Sequence, residues 1–339
     1  MKISLGAFAL TLALAVLSLA SHAAPAAAKA FDSPIKNNSL AITPDESLAL
    51  ACYSDLPEVV VYSLKTGRVV NTLRGFVTPR TIVVSPKGDT VYISDSSLGR
   101  ILVYDTATMK LKRRYAVGLG AFGTTLSRDG RYLCVNNEAA NTVTILDTEI
   151  GITVETIRGF AQPRQGIRFS PDGATLYVTN FTGDDISVVD FKTRKITGTI
   201  GGLNQIRAIS ITKDGRTLFA GNSGTNEVLV VDLARRTIVK RIPVGLDPYG
   251  AALSPDNTLV ISGNRKDNSV SIIDARNFNV IATLSGFSDP RQAIVFSRDS
   301  SRAYVLNKDL SIAVIDPRHY AISRVIGPPT PVAMAKAQL

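Results

Sequence analysis

The fold predicted for this 339-residue sequence is all-β: a seven-bladed β-propeller with four antiparallel strands per blade. Two observations carry that prediction. A Ser or Thr followed by a tight-turn sequence recurs seven times at intervals of 42 or 43 residues, and each interval holds four short runs rich in Val, Ile, Thr, Tyr or Phe. No helical periodicity competes with them past residue 30.

The repeat is clearest in Ile167–Ala208, whose β-type runs are Ile167–Ser170, Thr175–Asn180, Ile186–Asp190 and Lys195–Ile200. The residue ending the first run of each unit is Thr43, Ser85, Ser127, Ser170, Thr212, Ser254 or Ser297. The spacings are 42, 42, 43, 42, 42 and 43. A turn such as Pro171-Asp172-Gly173 or Lys213-Asp214-Gly215 follows, with residues that each suit a tight reversal for a separate reason. The second run ends at Tyr53, Asp95, Asn137, Asn180, Asn222, Asn264 and Asn307, where a side chain is expected to close a turn onto backbone N–H groups. The third ends at Ser63, Asp105, Asp147, Asp190, Asp232, Asp274 and Asp316, and recurrence at one offset argues for turn capping over acid–base or metal chemistry. A four-stranded unit cannot bury both faces alone. Stacking neighbours does so, at ~1.5–3 kcal/mol for each large apolar side chain covered, and ring closure removes exposed sheet edges.

Within this pattern Tyr177-Val178-Thr179-Asn180 stands in Ser170-Pro171-Asp172-Gly173…Leu176-Tyr177-Val178-Thr179-Asn180…Ile186-Ser187-Val188-Val189-Asp190. The chain therefore resembles the YVTN-repeat β-propeller family of exported bacterial proteins, over about residues 37–328. The resemblance implies the fold, and periplasmic roles in DNA binding or at the cell surface. Related propellers include sugar-lactone hydrolases, streptogramin lyases and the cytochrome d1 domain.

Outside the repeats, Lys2, the apolar run Leu5–Leu19 and Ser21-His22-Ala23 read as a secretory signal over residues 1–23, cleaved after Ala23. Residues 24–36 read as a leader, 37–328 as the propeller and 329–339 as a tail. A periplasmic or secreted monomer is expected, with no membrane span. Blade one has four runs of its own, yet Pro331–Ala335 resembles the start of another first strand, so the mode of ring closure stays open. Cys52 and Cys134 lie in apolar runs of non-adjacent units and are expected as buried free thiols.

The net charge is +10, falling to +9 without Lys2, with basic residues scattered over turns and outer strands. Scatter favours simple solubility; an anionic partner is the sharper reading. The latter finds residues in the loops entering the innermost strands, which carry Arg80, Phe122, Arg164, Arg207, Tyr249 and Arg291 around one channel mouth. Guanidinium groups match phosphate and carboxylate, and aromatic rings stack on planar ligands. Two such charges ~10 Å apart repel by roughly 1.7 kcal/mol at an effective dielectric of about 20, which is tolerable in a wet pore and relieved by an anion. Alternatively the arginines pair with Asp247, Asp289 or nearby carbonyls. Phe181, Arg100 and Arg265, in loops on the same face, extend the surface.

The only histidine after residue 23 is His319, placed in a turn on the opposite face. That removes a histidine triad, a His-rich metal site and streptogramin-lyase chemistry from the mouth, and no CxxCH exists for covalent haem. No cofactor is expected. The leading function is a non-enzymatic binding propeller with an anionic ligand, protein or nucleic acid over the arginine mouth. The alternatives are binding of single-stranded DNA or other nucleic acid and a lactone-hydrolase-type enzyme.

Overall fold

The computed structural model describes residues 35–327, and within them the chain forms seven four-stranded antiparallel sheets, each of four consecutive strands. The signal, most of the leader and the tail lie outside the described residues. The inner strands are Asn38–Ile42, Pro79–Val84, Ala121–Leu126, Pro163–Phe169, Ile206–Ile211, Ala252–Leu253 and Ile294–Phe296. Each neighbours the next around a ring, and the first neighbours the last. The fold is the predicted seven-bladed propeller.

The recurring Ser or Thr now has a physical role. Its hydroxyl oxygen accepts the N–H that begins the next strand in all seven blades, from Leu48 to Thr43 (3.0 Å) through Arg302 to Ser297 (3.0 Å). In six blades the same hydroxyl donates to an Asp in the turn, for example Ser127 to Asp129 at 2.5 Å and Ser297 to Asp299 at 2.7 Å. The Asn ending the second strand works further away than a local turn. Asn180, Asn222 and Asn307 accept the N–H of Ala161, Asn204 and Ser288, in the loops that lead to the next inner strand position of their own blades. The third-strand Asp caps its turn as expected: Thr193 N–H reaches Asp190 at 2.7 Å.

Seven hydrophobic clusters each span two neighbouring blades. One joins Leu40, Tyr62 and Leu64 of blade one to Tyr304, Ile312 and Val314 of blade seven. At that seam Tyr62 also donates its hydroxyl to the Leu310 carbonyl at 2.7 Å. Closure among the described residues therefore rests on packing between two complete blades, with no strand exchanged. Every third-to-outer strand pairing contains a register shift, which bends the outer edge and discourages edge-to-edge pairing. Cys52 and Cys134 are buried free thiols in separate clusters. Among the described residues no helix is long and apolar enough to cross a membrane.

Candidate functional site

The six residues singled out at the channel mouth do converge, though most sit differently from the expectation. Arg80, Phe122, Arg164 and Arg207 belong to the first turns of inner strands, not to the loops before them; Tyr249 and Arg291 remain in loops. The residue just ahead of each local Pro, Ile or Ala takes a left-handed backbone at Gly120, Gln162, Gln205, Asp247 and Asp289. At Gly120 a Cβ would stand 2.5 Å from the Ala139 nitrogen, so glycine is required there.

The side chains form a ladder of cations and rings. The guanidinium carbon of Arg164 lies 3.5 Å from the Phe181 ring centroid, and that of Arg207 lies 4.5 Å from the same ring. Arg207 is also 4.2 Å from Tyr249, which Arg291 approaches at 5.0 Å; Arg291 in turn is 5.5 Å from Tyr53. Arg80 stands apart over Phe122 at 4.6 Å. Such contacts are worth ~0.5–2 kcal/mol each, more when desolvated.

The mouth is partly covered rather than an open ring. Arg80 is 0% and Arg291 4% exposed. The backbone of Ile35–Asn37 crosses over them: the Ile35 carbonyl accepts from Arg80 Nη1, the Lys36 carbonyl from Arg291 Nη1, and Asn37 Oδ1 from Arg80 Nη1 at 3.0 Å. Carboxylates answer three arginines. Arg164 Nε donates to Glu138 at 3.1 Å, Arg291 Nη2 to Asp289 at 3.0 Å and Arg265 Nη2 to Asp247 at 2.6 Å. Among the described residues Arg207 makes no ion pair; its Nε donates to Ser223 Oγ at 2.9 Å. Burial pushes the Arg164 guanidinium down to about 10 despite Glu138, and lowers Arg207 as well, with neighbouring arginines adding to both shifts.

Three further side chains shape the mouth. Asn37 Nδ2 donates to Gln165 Oε1 at 3.1 Å, Gln165 Nε2 to Thr81 Oγ1 at 3.2 Å, and Gln292 Nε2 to the Asn38 carbonyl at 2.6 Å. These amides form a polar floor between the arginine mouth and the wider channel below, lining cavities on both sides. The sequence signal lies in the two 43-residue spacings. Blades four and seven carry one extra residue, and there alone Arg stands six residues before the marker with Gln at the fifth, where Arg80 and Arg207 sit in their blades.

The family model described as "Cytochrome D1 heme domain" matches residues 175–307, under half of the chain. Among solved structures, one titled "Kuenenia stuttgartiensis Hydrazine Synthase" superposes at a TM-score of 0.75 and 20% identity, over 84% of this chain and 96% of that one. This likeness is one of fold. A search of the curated proteins finds no match.

A haem held at the mouth needs an axial ligand of the kind that His, Met, Cys or Tyr supplies. His319 is in an exposed outer turn, paired with Asp316 at 2.8 Å, and both thiols lie inside blade cores. Tyr53 gives its hydroxyl to Asp289 at 2.6 Å, and burial pushes it further toward the protonated form; Tyr249 is packed against Arg207 and Arg291. Among the described residues at the mouth, none is placed to serve as a haem's axial ligand. Nor do three His, Cys, Asp or Glu side chains converge to hold a metal ion among the described residues.

Proposed function

We propose that this chain is an exported, non-enzymatic binding propeller, similar to the YVTN-repeat family, that holds a compact anionic ligand over Arg164 and Arg207. One observation carries the reading: Arg207 is a largely desolvated cation between two aromatic rings that makes no ion pair among the described residues. Its neighbour Arg164 shares the Phe181 ring and is likewise depressed by burial. An anion between them would offset the repulsion and restore both guanidinium groups. Periplasmic or secreted residence follows from the expected signal over residues 1–23.

A small ligand suits the mouth better than single-stranded nucleic acid. Stacking platforms need accessible rings, whereas Tyr53, Phe122 and Tyr249 are at most 8% exposed and Phe181 is already stacked by two arginines. A lactone-hydrolase reading that relies on a metal ion lacks three converging His, Cys, Asp or Glu side chains among the described residues.

Calorimetric titration of a dicarboxylate and of an oligonucleotide, each at low and high salt, tests this reading. Saturable binding of the small anion, lost in Arg164→Ala/Arg207→Ala, supports it. Tight oligonucleotide binding whose log affinity falls with log salt at about −0.7 per phosphate contacted would replace it with nucleic-acid recognition. Turnover across a lactone panel would replace it with an enzyme.

A further inference from the structure

Below the amide floor the channel widens into a cavity of about 530 Å3 that opens at the mouth opposite the arginine–aromatic ladder. Its wall is built from the inner strands. Two residues before each marker stand Ala41, Val83, Thr125, Arg168, Ser210, Ala252 and Val295, so Arg168 is the single charged side chain at this level. Arg168 lines the cavity, where desolvation lowers its pKa with no counter-charge contributing. Among the described residues its side chain makes one hydrogen bond, from Nη1 to the Ile167 carbonyl at 2.8 Å.

Two more cations join it at the rim. The residue after each marker is Pro in four blades and basic in three, and Arg128 and Lys213 line a continuation of the cavity together with Arg168. Among the described residues none of the three makes an ion pair, and the side chains of Arg128 and Lys213 make no hydrogen bond. The nearest turn carboxylates are occupied: Asp129 accepts from Ser127, Asp172 from Ser170 and Asp214 from Thr212 at 2.5–2.6 Å, and none of them lines the cavity. Thr124 adds a buried hydroxyl on the same wall that has no partner.

We propose that this lower chamber is a second, separate binding site, for a compact oxyanion carrying two or more negative charges, with Arg168 as its deep ligand and Arg128 and Lys213 as its rim. Three cations without ion-pair partners around one open chamber repel, and an anion held among them removes that repulsion and adds charge-assisted hydrogen bonds. The guanidinium of Arg168 suits bidentate recognition; Lys213 supplies a mobile point charge. Phosphate and polycarboxylate groups share this chemistry.

The test is isothermal titration of the full chain without its signal, at fixed ionic strength in chloride, with sulfate, phosphate, pyrophosphate and citrate as separate probes. Saturable binding of at least one multivalent probe is expected. Arg168→Gln should weaken it at least tenfold, and Arg128→Ala or Lys213→Ala about threefold to tenfold each, with Arg276→Ala on the outer rim unchanged. Pyrophosphate over citrate identifies a phosphate ligand, and the reverse a carboxylate. Circular dichroism of Arg168→Gln must match the parent, and Arg168→Lys, which keeps the charge and loses the fork, should show intermediate affinity. No saturable binding of any probe, or equal affinity in Arg168→Gln, overturns the proposal. Sensitivity to Arg207→Ala instead of Arg168→Gln would assign the anion to the upper mouth and leave the chamber without one.

Discussion

Arg164 sets its guanidinium carbon 3.5 Å from the ring centroid of Phe181 while its Nε holds Glu138 at 3.1 Å. The same ring carries Arg207 at 4.5 Å, so one aromatic side chain supports two cations from neighbouring blades. Replacing Phe181 with Leu keeps an apolar side chain and removes both contacts. The expected loss is about 1–3 kcal/mol of stability, and weaker anion binding at the upper mouth; chemical denaturation and titration read the two effects.

Arg291 is nearly fully buried and depends on Asp289, which also accepts from Tyr53. Asp289→Asn would leave a buried guanidinium without its counter-charge, at a cost of about 3–5 kcal/mol. Replacing both, as Asp289→Asn with Arg291→Met, should recover much of that loss. A double-mutant cycle from denaturation curves measures the coupling, and strictly additive losses would contradict it.

Gly123 and Gly166 let adjacent inner strands approach closely at the waist. A Cβ on Gly123 would stand 2.4 Å from the Arg164 carbonyl oxygen, and one on Gly166 2.6 Å from the Arg207 carbonyl oxygen, each on the next inner strand. Gly123→Ala should therefore cost about 1–3 kcal/mol through overpacking against backbone, and lower the melting temperature. An unchanged melting temperature would mean that the blades can separate freely at this point.

Hydrogen bonds from the marker hydroxyls are the leading cause that holds Asp89, Asp129, Asp172, Asp214 and Asp299 below the ordinary carboxylate range. Because these folded-state values lie under the unfolded one, the stabilisation is complete above about pH 4 and is lost as pH falls through the folded values. Acid unfolding should begin below about pH 4. In Ser170→Ala the carboxyl of Asp172 should titrate closer to the ordinary range, which carboxyl-carbon NMR resolves residue by residue.

Much of the fold was readable because each blade repeats a local hydrogen-bonded device. Thr43 through Ser297 tie two strands together within five residues, so short-range chemistry leaves a periodic mark. The convergence of Arg80, Phe122, Arg164, Arg207, Tyr249 and Arg291 was readable for the same reason, as near-equivalent positions in a ring. Their burial was not. It depends on Ile35–Asn37 crossing the mouth and on Glu138 and Phe181 arriving from loops between second and third strands, which are contacts without a fixed sequence spacing. Gln165 and Gln292 were signalled only by one extra residue in two blades, and Arg168 only by being the one charged residue at its offset.

The most direct measurement of the central claim is anomalous scattering from a crystal equilibrated with selenate. Selenium density between Arg164 and Arg207, within hydrogen-bonding distance of both guanidinium groups, is the predicted result. Selenate bound elsewhere on the protein, with the upper mouth left vacant at saturating concentration, would contradict it.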